Sequence, residues 1–544
     1  MNTRQLQTDK NQKLYHALLG ILLVCALAMM MLLSYWACKY SYYGAVDGRT
    51  RGVLVGDKTW AHIVVFLAAS LCTMGIDKVL MKKDKSQQEK ICLCTLIVTS
   101  VIAFILGVFY VCKNPYYPVG DQINTTAFAA YCRDGNFSML SIGGYVGMYQ
   151  QQKGLAILYE ILFTLFGDFN YRPAKILHVV WWILTILAGY GFLKLNTDRP
   201  VFRMLYCVMM LGCFPLLFYL PYIYGDVLSI SFGIILFYGV AAYEHSGQKR
   251  YIALASFAAG LAVLARKNTW IVLVAVAVYV LLVSLRKKKV RYLMAGTAIL
   301  LTAALSVKAV DVIYEVRSGY PSGVGVPSIL WVAMGLQETE GRAGVYNRYQ
   351  QATFTDYDCQ QELAAQQGKE YIRERLEEFS QDPGMAFNFF KNKVEGQWIE
   401  PMYAALESTE SFEEGAELSP VLESLYYGEL GRTIWKLTNY YQSILYLAGL
   451  MALVMLGILW WKKKEVPISL WLPWIAVFGG FLFSILWEAK SRYVFPYCVF
   501  MILYAPEGLY QTGLLLCKLP KLRKFKKSGH TQDKGEEASL RETA

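Results

Sequence analysis

Four stretches of this sequence place charged side chains directly beside long apolar runs. They are NPYYPVGDQINTTAF, PYIYGDVLSIS, LAVLARKNTW and WEAKSRYVFPY. Their charged residues are Asp121, Asp226, Arg266, Lys267, Glu488, Lys490 and Arg492. A charge at membrane depth is costly unless it is used or paired. Carboxylates and cations that face one compartment can accept a proton and stabilise a developing negative charge, so these residues are candidates for a catalytic site.

Each of these residues also has a purely structural interpretation, which the sequence leaves open. Asp226 in YGD can cap the helix that follows it. Arg266 and Lys267 can extend to lipid headgroups. Asp121, after Pro-Tyr-Tyr-Pro, can be a turn residue, and Lys153 in YQQQKGLAILYEILF can be a plain interfacial lysine.

Composition indicates which elements must position these side chains. The 544 residues are 55% hydrophobic and only 17% charged, whereas soluble domains average about 45–50% and about 25%. The net charge is +12, yet residues 314–437 contain 20 acidic and 10 basic residues, so the remainder is strongly basic. A basic remainder with long apolar runs indicates a polytopic membrane protein in a lipid bilayer, with cationic cytoplasmic loops, rather than a nucleic-acid-binding protein.

The apolar runs predict an all-α bundle of about twelve transmembrane helices, since about 20 apolar residues cross the hydrocarbon core. The predicted spans are 16–38, 60–80, 91–112, 174–194, 204–224, 227–243, 251–266, 268–285, 291–313, 438–461, 466–487 and 493–514. Lysine and arginine collect in alternate loops, so both termini are expected in the cytoplasm. The same parity places the four charged stretches on the outward side.

These spans divide the chain into six parts. The parts are three spans (1–112), an outward loop (113–173), six spans (174–313), an acidic outward segment (314–437), three spans (438–517) and a basic, then disordered, cytoplasmic tail (518–544). In the acidic segment, Glu362–Ser380 predicts an amphipathic helix, and the following MAFNFFKNKVEGQWIE predicts a helix along the membrane surface. Cys132 and Cys359 lie in the two outward segments and are a candidate disulfide pair.

The order of these features resembles the GT-C superfamily of integral-membrane glycosyltransferases, which includes protein O-mannosyltransferases and lipid A aminoarabinose transferases. In that superfamily an outward loop after an early span carries an acid, as Asp121 does here, and two juxtamembrane helices follow. The second helix typically reads Lys-Pro-Pro-Leu, an apolar run, Phe-Gly and a basic residue. The corresponding stretch here is KGLAILYEILFTLFGDFNYRP, which begins at Lys153 and lacks the prolines.

Later parts of the chain extend the resemblance over most of residues 91–515. A second acid in a later outward turn corresponds to Asp226, and a basic residue after a Gly/Ala-rich span corresponds to Arg266. An Arg-Tyr before a proline corresponds to Arg492-Tyr493. The sequence departs from the superfamily in having two additional early spans and an insertion, 314–437, without a recognisable motif.

The resemblance implies a donor in which a sugar is linked to a polyprenyl phosphate, and an acceptor that is a cell-envelope glycan, lipid or protein. Asp121 is then the expected general base. Arg492 is the expected phosphate ligand, supported by Tyr493, Arg266 and Lys267. The supporting or acceptor-binding residues are Asp226, Lys153 and Glu488. One base and a phosphate leaving group imply direct displacement with inversion.

No cofactor is firmly implied, and the alternatives differ in testable ways. Some related enzymes use a divalent cation between paired acids; because Asp121 is followed by Gln122, we expect transfer without a metal. A transporter or lipid flippase would place charges near mid-span and show inverted repeats. A polymerase would rely on outward arginines more than on an early acidic loop, and a scaffold would need neither. The features favour a glycosyltransferase in the bacterial cell membrane.

Overall fold

A computed structural model describes residues 3–46, 51–464 and 466–518, so most of the predicted tail 518–544 lies outside the described residues. The first half of the chain contains α1 (Thr3–Lys39), β1 (Tyr40–Val46), β2 (Arg51–Gly56), α2 (Thr59–Leu80), α3 (Lys85–Lys113), α4 (Asp121–Arg133), α5 (Tyr145–Met148), α6 (Lys153–Phe166), α7 (Arg172–Asn196), α8 (Pro200–Leu211), α9 (Phe214–Phe218), α10 (Asp226–Ser246) and α11 (Lys249–Ala265).

The second half contains α12 (Trp270–Lys287), α13 (Val290–Ser318), α14 (Ile329–Gly335), β3 (Glu338–Thr339), β4 (Arg342–Ala343), α15 (Tyr349–Asp356), α16 (Gln361–Gln381), α17 (Pro383–Trp398), α18 (Ala405–Ser408), α19 (Pro420–Tyr427), α20 (Glu429–Trp461), α21 (Leu472–Leu486), α22 (Ser491–Met501) and α23 (505–518). Short 3₁₀ turns occur at Ser138–Leu140, Gln150–Gln152, Lys267–Thr269 and Ile468–Trp471.

Nine helices in the described ranges are long and apolar enough to cross a membrane. They are Asn11–Lys39, Thr59–Leu80, Lys85–Lys113, Arg172–Asn196, Asp226–Ser246, Lys267–Lys287, Val290–Ser318, Glu429–Trp461 and Ile468–Leu486. The prediction of an all-α polytopic membrane protein is therefore confirmed. The structure adds two small antiparallel hairpins, β1–β2 and β3–β4, which the sequence analysis did not predict.

The other three predicted spans coincide with short or interrupted helices. Predicted span 204–224 is divided between α8 and α9, where Pro215 in the first turn of α9 cannot donate a backbone hydrogen bond. Predicted span 251–266 is the 17-residue α11. Predicted span 493–514 is divided between α22 and α23 by a turn at 502–504. Hydropathy counts apolar residues and does not detect such breaks.

Helix α10 is the most deeply buried of the nine long helices and packs against α7 and α11. Its residues are apolar or small nearly all round, which is typical of a helix enclosed by other helices. Asp226 is its first residue, so the fold places this carboxylate at the end of the central helix.

Part of the acidic segment enters the bundle instead of lying on a surface. The predicted helix Glu362–Ser380 is present as α16, but the predicted surface helix that follows is wrong in its second half. Residues 393–398 of α17 are all buried. They lead into a loop, residues 399–404, whose side chains are also buried; we call it the buried loop.

Hydrogen bonds from the bundle satisfy the backbone of this segment. The Tyr446 hydroxyl of α20 donates to Trp398 O at 2.6 Å, and Gln442 Nε2 donates to Glu400 O at 3.3 Å. The Tyr219 hydroxyl donates to Tyr403 O. Irregular backbone is tolerated at such depth only where protein groups replace water as partners. These long-range partners explain why an amphipathic pattern alone gave the wrong location.

The candidate pair Cys132–Cys359 is also wrong, because both residues are free thiols. Cys132 is buried in the main core. Cys359 belongs instead to a separate apolar cluster around Leu330 and Phe354.

Close packing of α23 on α20 yields a prediction about Gly508. A β-carbon at this position would collide with the backbone carbonyl of Ala448, whereas one at Gly75, on the exposed side of α2, would meet no atom within 4 Å. We expect Gly508→Ala to destabilise the protein by about 1–3 kcal/mol through overpacking. Gly75→Ala should be neutral or slightly stabilising because alanine favours helix. Thermal unfolding in detergent measures both, and equal midpoints would contradict the packing described.

Candidate functional site

One solvent-open cavity of about 1190 Å³ brings together six of the eight predicted site residues. They are Asp121, Arg266, Lys267, Glu488, Arg492 and Tyr493. The start of α4, the turn after α11 and the start of α22 supply them. The four charged stretches thus meet at one end of the bundle, although they are far apart in sequence. Asp226 and Lys153 lie outside this lining and are described below.

Asp121 is the first residue of α4 and its side chain is exposed to the cavity. The preceding Gly120 has a φ of +59°, which turns the chain into the helix. The Tyr145 hydroxyl donates to Asp121 Oδ1 at 2.9 Å. Burial, together with the nearby Asp121 carboxylate, raises the pKa of Tyr145 well above its usual range, so this hydroxyl keeps its proton. The carboxylate is therefore oriented while remaining accessible.

Gln122, the neighbour of Asp121, does not line the cavity. Its side chain is buried, and its Oε1 accepts a hydrogen bond from the Tyr116 hydroxyl. The two residues at the start of α4 are therefore divided between one accessible carboxylate and one buried amide.

Asp226 is buried between two arginines. It forms an ion pair with Arg266, and its Oδ1 lies 4.0 Å from Arg492 Nε. The N-cap position of α10 is Gly225, and Asp226 is the first residue of the helix itself. The structural interpretation of Asp226 as only a helix cap is therefore wrong. Arg266 does not extend to headgroups either, since its side chain is only 11% exposed.

Aromatic rings surround the two guanidinium groups. The ring centre of Tyr224 lies 5.4 Å from Arg266 Cζ and 5.3 Å from Arg492 Cζ. Tyr493 contacts the same two groups at 5.5 and 5.7 Å. Arg492 Nη1 also donates to the Tyr222 hydroxyl. Cations over aromatic faces are stabilised when desolvated, so the rings help to keep two like charges close together.

The arginine pair, Arg266 and Arg492, lies where the polar cavity continues into an apolar pocket. This pocket of about 360 Å³ is lined by both arginines and by Val272, Pro496 and Phe500. Arg492 Nε and Asp226 Oδ2 have no hydrogen-bond partner within the described part of the chain. Two guanidinium groups that share one carboxylate retain a net positive charge. The geometry suits an anion bound next to apolar side chains.

Lys153 lines a second cavity, of about 940 Å³, which shares Gln151, Lys267 and Ser328 with the first. Its Nζ lies 2.5 Å from Asp311 Oδ1 and donates to Ser322 Oγ at 2.8 Å. The side chain is buried, so the interpretation as a plain interfacial lysine is wrong. Lys153 does not face Asp121, and the exposed Lys267 lies at the junction of the two cavities.

Glu488 is buried in the wall of the first cavity, where the Tyr493 hydroxyl donates to it at 3.4 Å. Asp121 and Glu488 are the two carboxylate residues among the described cavity lining. Across the described ranges, no three His, Cys, Asp or Glu side chains are grouped to hold a metal ion.

Sequence reasoning missed an aromatic wall of the cavity, formed by Tyr149, Trp331, Tyr346 and Trp487. Trp487 directly precedes Glu488, but Trp331 and Tyr346 come from the 314–437 segment, in which no motif was recognised. It also missed the buried Lys393. The sequence does contain many aromatic residues. Membrane proteins are also rich in aromatic residues at the membrane interface, so this abundance did not indicate a binding site.

No known family model matches the chain, and no curated protein or solved structure is significantly similar to it. The fold and the cavity define an α-helical polytopic membrane protein with a polar site at one end of its bundle. The site combines an accessible carboxylate with an arginine pair beside apolar pockets.

The shared carboxylate yields a prediction about stability. Asp226→Asn leaves two buried guanidinium groups without their counter-ion, and we expect a loss of about 3–5 kcal/mol. Asp168→Asn is the matched control, because Asp168 pairs with Arg133 but is 37% exposed, and should cost about 0–1 kcal/mol. Thermal unfolding in nanodiscs distinguishes the two, and an equal effect would show that Asp226 does not organise the pair.

A second prediction concerns Lys393, whose Nζ donates to Gly335 O inside the protein. Burial lowers its pKa to about 7, partly opposed by Glu488. The unfolded chain, with an ordinary lysine pKa near 10.4, binds this proton first as pH falls, so stability decreases from about pH 10 to pH 7 and then levels off.

Lys393→Met should remove this contribution. The unfolding midpoint of the variant should therefore rise relative to that of wild type as pH falls from 10 to 7. Lys369→Met, at an exposed position of α16, is the control and should follow wild type throughout. Parallel pH profiles for wild type and Lys393→Met would contradict the buried neutral lysine.

Proposed function

We propose that this protein is a membrane glycosyltransferase of the GT-C type, which transfers a sugar from a polyprenyl phosphate to an acceptor outside the cytoplasm. The observation that carries the proposal is one cavity in which the accessible Asp121 accompanies an arginine pair at the edge of an apolar pocket. The carboxylate suits a proton acceptor, the arginines suit a phosphate, and the apolar side chains beside the arginines suit the start of a lipid chain.

In the proposed reaction, Asp121 accepts the proton of the acceptor hydroxyl or amine as that atom attacks the anomeric carbon. The bond between the anomeric carbon and the phosphate oxygen breaks, and polyprenyl phosphate leaves with the electron pair. Arg492 and Arg266 stabilise the charge that develops on this phosphate, and the ring of Tyr493 lies beside both guanidinium groups. The configuration at the anomeric carbon is inverted, and Asp121 later returns its proton to water.

Several further residues support the arginines or the cavities beside them. Asp226 is a positioning residue, because it contacts Arg266 and Arg492 and does not line the cavity. Lys267, at the junction of the two cavities, is available to guide the phosphate headgroup, and Lys153 with Asp311 shapes the second cavity. Glu488 supports Tyr493 from the cavity wall. We propose that the reaction needs no metal, since Gln122 occupies the position of a second acid.

The proposal includes twelve membrane crossings, with α8–α9, α11 and α22–α23 added to the nine long helices. Many of their residues are buried within the bundle, where interrupted helices are tolerated. Both termini are then cytoplasmic, the cavity faces outward, and the protein lies in a bacterial cell membrane.

The test uses purified protein in nanodiscs with radiolabelled polyprenyl-phosphate sugars and a crude cell-envelope acceptor. Wild type should release polyprenyl phosphate with one of the sugars. Asp121→Asn should lower this release at least about 100-fold, because a general base contributes about 10²–10⁴. Asp134→Asn, an exposed acid in the same segment, should stay near wild type.

Equal unfolding midpoints for the two variants exclude a folding defect as the cause. Unchanged release in Asp121→Asn would contradict the assignment of the base. Tight binding of a lipid-linked sugar without turnover by wild type would favour a flippase or polymerase instead.

A further inference from the structure

We infer that the acceptor is a carbohydrate, whose sugar ring packs on the aromatic wall while Gln350 binds one of its hydroxyl groups. This inference rests on the proposed function and selects a glycan from the three acceptor classes. It also gives the 314–437 segment a function, because Trp331, Tyr346 and Gln350 all belong to it.

The wall is an ordered stack of aromatic rings beside the cavity. The rings of Trp331 and Trp487 are parallel, with an interplanar angle of 4° and centroids 5.9 Å apart. Phe483 stacks behind Trp487 at 4.9 Å, and Tyr149 meets Trp331 edge-on at 6.1 Å. Trp331 and Trp487 are both partly exposed. Their contacts with each other, with Phe483 and with Tyr149 hold the two rings, so their orientation does not depend on a ligand.

Such a surface matches the chemistry of a sugar ring. The faces of a pyranose carry C–H groups with a slight positive charge, and the face of an aromatic ring is negative. The hydroxyl groups at the edge of the sugar need polar partners at the same time. Gln151, Asn268 and Ser328 line the cavity and supply donors and acceptors for them.

Gln350 is the second, independent observation. Its side chain lines the cavity but is only 1% exposed. Its amide interacts by hydrogen bonding with Tyr149 and Tyr346 of the wall, but its Oε1 has no hydrogen-bond partner among the described residues. A buried acceptor left unsatisfied is unfavourable. A ligand hydroxyl at this position would donate to Oε1 and satisfy it.

The position of the wall favours the acceptor over the donor sugar. The wall residues do not line the apolar pocket beside the arginine pair, where the donor phosphate is proposed to bind. They do lead to the base: Tyr149 lies 5.2 Å from Tyr145, ring to ring, and Tyr145 donates to Asp121. An aliphatic lining suited to a lipid acceptor, such as Val263, Val307 and Val310, belongs to the second cavity.

The test measures acceptor binding without any donor, on the full chain in nanodiscs. The probes are the tetrasaccharides of β-1,4-glucose, α-1,6-mannose and β-1,4-N-acetylglucosamine, a serine-rich hexapeptide and a short-chain phospholipid. Binding is read by saturation-transfer NMR and by calorimetric titration. We expect at least one tetrasaccharide to bind and the peptide and lipid not to compete with it.

Variants then locate the binding. Trp331→Ala and Trp487→Ala should each weaken it at least about tenfold, whereas the Phe variants at these positions should lose less than about threefold, since the ring face is kept. Gln350→Ala should also weaken binding, and Trp60→Ala, at an exposed position on α2 outside the cavity, should not. Unfolding midpoints confirm that each variant is folded.

The outcomes separate this inference from the proposed function. If wild type releases polyprenyl phosphate but binds none of the saccharides, or binds them equally after both Trp→Ala changes, the glycan inference is wrong and the transferase proposal stands. Tryptophan-dependent binding of the peptide or lipid in place of a saccharide also overturns it. Tryptophan-dependent saccharide binding supports it, and its presence in Asp121→Asn shows that binding does not depend on the base.

Discussion

The sharing of one buried carboxylate by two arginines is the interaction on which the site depends. Asp226 begins α10, Arg266 follows α11, and Arg492 lies in α22. Removing these charges from water is expensive, so their burial is favourable only when all three elements are docked and the charges compensate one another. The same docking brings Asp121 and the wall of the cavity within reach of the arginines. The cluster therefore links the packing of distant helices to the assembly of a single site.

Much of this arrangement could be predicted because membranes make charges conspicuous. Asp121, Arg266 and Arg492 lie at the ends of apolar runs, where charges are unusual. Because the basic loops alternate with these ends, the sequence predicts that all three residues face the same side of the membrane. The pairing partners could not be predicted, because Asp226 with Arg266 and Lys153 with Asp311 depend on how helices pack. The breaks at α8–α9 and α22–α23 were missed for a related reason: hydropathy is high on both sides of each break. Trp331 and Trp487 are far apart in sequence, so their parallel packing could not be predicted.

The acidic segment illustrates how composition can be misleading about location. Its excess of acidic residues predicts a solvated domain, and α16 fits this description with its many exposed charges. Yet the segment also supplies Trp331, Tyr346 and Gln350 to the cavity and inserts residues 399–404 among the helices. The exposed and buried parts alternate over short distances, so an average over the whole segment describes neither. The contacts of this segment with the helices therefore describe its location better than its average charge does.

The buried loop has a consequence for how the molecule is made. Its hydrogen-bond partners Gln442 and Tyr446 lie in α20, which the ribosome synthesises only after the loop itself. Because chains emerge from the N-terminus, these two hydrogen bonds form only after α20 has been synthesised, whereas the bond from Tyr219 has both partners earlier. The packing of the loop is therefore completed by a C-terminal helix. A chain that ends before α20 would lack both partners and would leave the carbonyl groups of Trp398 and Glu400 without these hydrogen bonds.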